Sequence, residues 1–351
     1  MMDAKENSEA IDIVYLWVDG SDPVWGKKRE QAYSKWIQEH ADELAIYGNG
    51  AGRYRDNGEL LFNLRALEKF FPDHGHVYIV SDGQTPTWLR SSDRLTVIDH
   101  RDLIPATSMP VFDSGHIESY LHHIPGLSER FIYLNDDVFF GAKVDTAWWF
   151  GERLRVFAEA TPIADYDELQ PDETALVNAS ILSKNWMASR YPNYIHDPRL
   201  YSHGPRPMLK SAMFELEKIA PELFQQVRST VFRSWRAPAV IPDLVPRWMV
   251  HVGYAHQKTL DPLHISTSDL SAKQQFDSLF SMFGKLPFFC INDTCDEASD
   301  DDFRLLRIAE TLKKLLPEPS SFELRFEPDE GFDVHLIYPD ELAAVPNRTR
   351  V

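Results

Sequence analysis

Apolar and polar positions alternate in blocks along the first half of the chain. Ile11 to Val18 is apolar except for Asp12 and predicts a buried strand, closed by the turn-rich Asp19-Gly20-Ser21-Asp22-Pro23. A helix is expected from there to about His40. Gly48-Asn49-Gly50-Ala51-Gly52 reads as a flexible loop and fits neither the dinucleotide nor the phosphate-loop pattern. Asp56 and Glu59 stand at capping-box spacing and predict a helix start. Leu60, Leu64, Leu67 and Phe71 follow at helical spacing, and Pro72 ends the element.

Two further strands are expected. His76 to Val80 is closed by Ser81-Asp82-Gly83, and Leu95 to Ile98 by Asp99-His100-Arg101-Asp102. A helix around Ile117 to His123 then leads into Phe131-Ile132-Tyr133-Leu134-Asn135-Asp136-Asp137-Val138-Phe139-Phe140-Gly141. There an apolar run stops abruptly at two adjacent acids. Strands alternating with helices predict an α/β fold, a mostly parallel, Rossmann-like sheet flanked by helices.

From about Thr161 the pattern is less regular and suggests a largely helical second half. Helices are expected at Met208 to Ala220, Pro221 to Arg228, Leu270 to Phe283 and Asp302 to Leu316, with a short strand at Pro287 to Ile291. Residues 1–10 form a polar extension, and the acidic, proline-punctuated stretch 327–351 reads as a peripheral tail around a single domain of residues 11–326. There are no internal repeats and no low-complexity segments.

Composition narrows the function. With 36 Lys+Arg against 54 Asp+Glu the net charge is −18, which argues against a nucleic-acid binder. A phosphorylated substrate stays compatible, because a few arginines and a metal make a locally positive pocket. No secretory signal and no apolar stretch of about 20 residues is seen. The only cysteines, Cys290 and Cys295, do not form a disulfide framework or a zinc spacing, so a reducing cytosol is the expected compartment.

The candidate chemistry lies in carboxylates, one histidine and one arginine; no nucleophile elbow, zinc-protease helix or kinase loop occurs. Asp136 and Asp137 end a strand. They read either as a turn, where Asn and Asp are common, or as oxygen ligands for Mg²⁺ or Mn²⁺ at the carboxyl edge of a sheet. Asp19/Asp22 and Asp82 also follow strands, and if those strands are parallel neighbours the acids converge, which favours the metal reading. His203 precedes an expected helix and is either a surface or capping residue or a general base. Arg233 is either a surface ion-pair residue or a bidentate phosphate ligand. Asn292-Asp293 after Phe289-Cys290-Ile291 repeats the strand-then-acid arrangement.

Together these segments resemble the Stealth family of sugar-phosphate transferases, which includes bacterial capsular and exopolysaccharide enzymes and the animal N-acetylglucosamine-1-phosphotransferase. Four blocks carry the resemblance. The first is Ile11 to Pro23. The second, the longest, runs from Tyr54-Arg55-Asp56-Asn57-Gly58-Glu59 through Tyr78 to Gln84, Ile117-Glu118, His122 and Ile124 to Ser128, ending at Gly141. The third runs from Asn178 through His203 to Phe232-Arg233-Ser234, and the fourth from Phe289 to Glu323. The third departs from the family pattern, with Trp235-Arg236-Ala237-Pro238 where an acid usually follows the arginine and serine.

The resemblance implies a fold of the nucleotide-sugar transferase type. It also implies transfer of a sugar-1-phosphate from a nucleotide sugar, usually a UDP-sugar, to a glycan or glycolipid hydroxyl with release of UMP. By the same resemblance Asp136 and Asp137 hold the metal, and Asp137 or His203 takes the acceptor proton. Arg233 neutralises phosphoryl charge, while Asp19, Gly20, Asn57, Glu59 and Asp82 line the donor pocket. A cytoplasmic enzyme, peripheral to a membrane polysaccharide complex, is the expected setting. The alternatives are a metal-dependent glycosyltransferase that releases UDP and a non-catalytic glycan-binding subunit.

Overall fold

The computed structural model describes residues 10–299 and 301–324, so the expected N-terminal extension and acidic tail lie almost wholly outside the described residues. The strands are β1 (Ile11–Leu16), β2 (Val77–Ser81), β3 (Leu95–Asp99), β4 (Arg130–Asn135), β5 (Val138–Phe140), β6 (Leu154–Ala158), β7 (Arg206–Leu209), β8 (Ala255–Thr259), β9 (Leu263–Ser266) and β10 (Phe288–Asn292). The main sheet has the order β3-β2-β1-β4-β7, with β7 antiparallel to β4 and the other pairings parallel. The fold is therefore α/β with a mostly parallel central sheet.

β1 lies at the centre because both its faces are covered, which is why it reads as a near-continuous apolar run. Ile13, Val14 and Tyr15 are wholly buried. Its one acid, Asp12, is buried too and is satisfied by the backbone N–H groups of His76 and Ser128, each at 2.8 Å. The register pairs Leu16 with Val80 on one side and Asn135 on the other, so β1, β2 and β4 end together at one sheet edge.

The helices that matter for the site are α1 (Pro23–His40), α2 (Glu59–Phe70), α3 (Ser114–Glu118), α4 (Ala175–Arg190), α5 (Lys210–Ile219), α6 (Pro221–Val227), α7 (Val245–Val252), α8 (Ala272–Met282) and α9 (Phe303–Leu315). Asp22 caps α1, accepting from the N–H groups of Val24 and Trp25. α2 buries Leu60, Leu64 and Leu67 at helical spacing, as the sequence predicts.

Several local expectations are corrected. α2 begins at Glu59 with Gly58 at the N-cap, so Asp56 is not the cap; its Oδ1 instead accepts from the Gly58 N–H at 2.8 Å. The expected helix at Ile117 to His123 breaks up. Asp113 caps the short α3 three residues earlier than the expected start, and Leu121–His123 is a separate 3-10 turn. Met208 belongs to β7, opposite Phe131, so His203 precedes a strand and not a helix. The polar β8 pairs only with β6 and shows no apolar run; α4 and α7 also went unpredicted.

Among the described residues, no helix is long and apolar enough to cross a membrane.

Candidate active site

β4 and β5 belong to different sheets, and the chain passes between them through a turn made by Asp136 and Asp137. That turn is held from below. Asn63, wholly buried on α2, donates from Nδ2 to the carbonyls of Asp136 at 2.9 Å and Val138 at 2.6 Å. Its Oδ1 accepts from the Tyr15 hydroxyl of β1 at 3.0 Å, and the Ile291 N–H of β10 donates to the Asp137 carbonyl at 3.0 Å. With the backbone fixed from three elements, both carboxylates face a cavity of 590 Å³ at the carboxyl edge of the main sheet.

His203 Nε2 stands 3.3 Å from both oxygens of Asp137, and the buried Cys290 thiol donates to Oδ2 at 3.3 Å. Burial pushes the Asp137 carboxyl up, but His203, Cys290 and His264 outweigh it and hold the group below the ordinary carboxylate range. His203 reaches this position because Gly204 follows it. A Cβ there would stand 2.3 Å from the Phe288 ring, so only glycine lets the chain come this close to β10.

Asp136 behaves in the opposite way. Burial, then the charges of Asp137 and Asp56, push its carboxyl well up. Glu59 is pushed well up by burial and by Asp56 and Asp136, and Asp56 rises through burial above all. These acids bear mainly on one another. Such a group is costly unless protons or a cation compensate it. Carboxylate oxygens of this kind suit Mg²⁺ or Mn²⁺, while the residues at this site whose ligand atoms lie within 4.8 Å of one another are Asp137, His203 and Cys290.

Another part of the same cavity is lined by Arg53, Arg206 and Arg233. Arg233 Nη2 donates to Ser114 Oγ at 2.6 Å, and its Nε is 3.7 Å from Asp113. Arg206 donates to the Pro242 carbonyl at 3.4 Å and lies in the field of the buried Glu118, and the Nε of Arg53 is buried without a partner. Burial lowers the pKa of both Arg53 and Arg206, and Arg233 adds to the effect on Arg53. The three guanidiniums thus share two buried carboxylates, Glu118 and Asp113, as countercharge, which leaves them in excess on this side of the cavity.

Of the residues singled out from sequence, Glu59, Asp136, Asp137, His203, Arg233, Asn292 and Asp293 line this one cavity. Asp19, Gly20, Asn57 and Asp82, expected in the donor pocket, are not among its lining residues. Asp82 is held by Lys28 Nζ at 2.6 and 2.7 Å. Asp19 accepts from the Ser21 N–H and hydroxyl. The Gly20 N–H donates to the Tyr54 carbonyl at 2.7 Å, and a Cβ at Gly20 would stand 2.3 Å from that oxygen. Asn57 is turned onto the Glu59 carboxylate, donating from its backbone N–H at 2.5 Å and its Nδ2 at 2.9 Å. These four build the frame around the cavity.

Arg53, Arg206, Glu118 and His264 were missed. Arg206 lies three residues after His203, and Glu118 follows Ile117 inside a quoted block, so proximity along the chain was the available signal. His264 and Arg53 carried none. Arg55 was quoted only as part of a block; it forms a 2.5 Å ion pair with Asp293 and joins the second and fourth blocks across the fold.

A mostly parallel α/β sheet with acids and arginines facing one cavity at its carboxyl edge defines the class: an α/β protein with a site of mixed charge at the sheet edge. Comparison with known proteins places it further. Conserved regions 1, 2 and 4 of the Stealth proteins match residues 9–35, 53–156 and 285–333, together more than half the chain. The chain belongs to the Stealth family. It is 33% identical over 318 residues to exopolysaccharide phosphotransferase SCO6023 of Streptomyces coelicolor, covering 89% of this chain and 52% of that protein. It is 34% identical over 217 residues to capsular polysaccharide phosphotransferase cps1A of Actinobacillus pleuropneumoniae, covering 59% of this chain and 56% of that one. The chain thus spans about half the length of these curated relatives. A solved galactosyltransferase, LgtC in complex with donor and acceptor sugar analogs, superposes with a TM-score of 0.39 at 10% identity over 88% of this chain and 98% of that one. That likeness is too loose to support an argument.

Proposed function

We propose that this chain transfers a sugar-1-phosphate from a nucleotide sugar, a UDP-sugar by preference, to a glycan or glycolipid hydroxyl, forming a phosphodiester and releasing UMP. The observation that carries this reading is one cavity lined both by mutually repelling carboxylates, Glu59 and Asp136, and by three arginines that outnumber the acids beside them. A diphosphate with its cation satisfies both. Relatives named as exopolysaccharide and capsular polysaccharide phosphotransferases support the same chemistry.

In this reading Asp136, with Asp56 and Glu59 beside it, would hold a Mg²⁺ or Mn²⁺ ion, which when bound would supply charge neutralisation on the diphosphate. Asp137 is engaged instead by His203. A neutral His203 donating from Nε2 to Asp137 keeps Nδ1 free to take the proton of the acceptor hydroxyl, and Asp137 then stabilises the imidazolium. The hydroxyl oxygen bonds to the β-phosphorus as the bridging oxygen–phosphorus bond to the nucleoside monophosphate breaks. Arg233, Arg206 and Arg53 neutralise charge on the transferred phosphoryl and the leaving group. The expected setting is the cytoplasm, with contact to membrane-bound glycan synthesis supplied by partners.

The test is product analysis with a panel of UDP-sugars and oligosaccharide acceptors. UMP release with a sugar phosphodiester product is expected, reduced by at least about 100-fold in His203→Ala. UDP release with a glycoside product would replace phosphotransfer with glycosyl transfer. Donor binding without turnover would leave only a glycan-binding subunit.

A further inference from the structure

Away from the active-site cavity, His122, His123 and Glu217 bring three ligand atoms within 4.8 Å of one another. His122 Nε2 lies 2.7 Å and His123 Nε2 2.9 Å from the same oxygen, Glu217 Oε2. The two imidazoles come from consecutive residues of the 3-10 turn, with ring centroids 4.2 Å apart, and the glutamate from α5. Neither ring is free to swing away. Phe214, one turn before Glu217, packs edge-on against both at 4.7 and 5.0 Å, and Phe224 closes on His122 from α6.

We propose that His122, His123 and Glu217 form a second metal site, selective for Zn²⁺ or a similar borderline cation. Two imidazole nitrogens and one carboxylate oxygen are the donor set of open four-coordinate zinc sites, and they suit zinc better than Mg²⁺. In such a tetrahedron, ligand bonds of about 2.0–2.1 Å set donor atoms about 3.3 Å apart, so an opening of about half an ångström admits the ion. His122 is wholly buried while the His123 side chain is 39% and the Glu217 side chain 21% exposed, which leaves an entry path and a fourth position for water.

The carboxylate is already braced for this role. Arg228 holds Glu217 Oε1, leaving Oε2 to the histidines, and is itself fixed by the Ser119 hydroxyl at 3.0 Å and carbonyl at 2.6 Å. A ligating carboxylate held by a charged donor is the outer-shell arrangement that metal sites share. His122 Nδ1 is buried without a partner, so its ring is oriented by the Nε2 contact with Glu217 and by packing against Phe214 and Phe224. Arg233 lies five residues beyond Arg228, and Ser114, its partner, on the segment that continues to His122. Zinc at this site would therefore brace the two segments that carry Arg233.

The experiment is a Zn²⁺ titration by calorimetry in excess Mg²⁺, with the full chain carrying His203→Ala to break the other three-residue donor group, Asp137, His203 and Cys290. One Zn²⁺ equivalent is expected to remain. Adding His123→Ala, at the exposed edge, should weaken it at least about tenfold, as should Glu217→Gln, which keeps the oxygen that Arg228 holds. Undiminished zinc uptake in both double variants, or no uptake in the His203→Ala parent, overturns the proposal. Loss confined to Glu217→Gln does the same, because it would implicate the carboxylate alone.

Discussion

If the Asp136-Asp137 turn is held by Asn63, replacing that one side chain should disturb the site without touching any group in the cavity. Asn63→Leu keeps the volume and the helix but removes both Nδ2 bonds, to Asp136 O at 2.9 Å and Val138 O at 2.6 Å, and the acceptor of the Tyr15 hydroxyl. The Val138 carbonyl and the Tyr15 hydroxyl are fully enclosed and would lie unpaired. At about 1–3 kcal/mol for each such group, the folded state should lose about 2–6 kcal/mol. The Asp136 carbonyl is closer to the cavity and can turn to water, so the turn should relax toward it. Urea denaturation measures the first effect and Mn²⁺ titration the second, with binding expected to weaken about tenfold or more. Tyr15→Phe is the control: it leaves both carbonyl bonds intact and should cost about 1 kcal/mol with Mn²⁺ affinity unchanged. If Asn63→Leu binds Mn²⁺ as the wild type does, the clamp does not position the acids.

Other consequences are sharper at particular conditions. Because burial and mutual repulsion raise the Asp136 and Glu59 carboxyls, protons compete with a cation for them, so the rise in melting temperature caused by Mg²⁺ should be larger near about pH 8 than near about pH 5.5. An equal rise at both would deny that these acids hold the ion. His74 is held neutral by burial, its pKa lowered from 6.5 to about 4, so the unfolded chain takes up the proton first as pH falls. Its contribution is complete above about 6.5 and lost toward about 4, up to about 3 kcal/mol, and His74→Gln should flatten the pH dependence of stability over that window. Arg247 is buried and donates to Asp243, Ser180 and the carbonyls of Asp197 and Arg199. Arg247→Met should cost about 3–5 kcal/mol by stranding the buried Asp243, and Arg247→Met/Asp243→Leu should recover much of it by chemical denaturation.

The elements that the sequence revealed share a physical cause. β1, β2 and β4 are buried on both faces and so read as unbroken apolar runs, while α2 and α9 each bury one stripe. β8 is polar and flanks only β6, and α4 has buried residues spread around its circumference, so neither leaves a periodic trace. The site divides in the same way. Asp136 and Asp137 were legible because acids interrupt an apolar run. Asp82 shows the limit of that signal: it ends a neighbouring parallel strand as expected, yet Lys28 of α1 claims it. Which strand-end acid stays free depends on side chains from helices far along the sequence. Arg53 and His264 reach the cavity through loops and an edge strand, where no pattern marks them.

The charge distribution bears on what the cavity is for. A chain with net charge −18 has carboxylates enough to pair every guanidinium it buries, and it does so at Arg65 with Glu323, Arg55 with Asp293 and Arg247 with Asp243. Arg53 and Arg206 form no such ion pair, and they face the same space as Arg233. The buried Glu118 and Asp113 are set against these three guanidiniums, while Asp56, Glu59 and Asp136 crowd one another, each pushed toward its neutral form. Moving these groups into contact would relieve both strains at once, so a fold that holds them apart in one cavity is arranged for a ligand that has both signs to offer. A divalent cation bridged to a diphosphate is such a ligand, and neither a neutral glycan nor a metal ion alone would satisfy both groups of side chains.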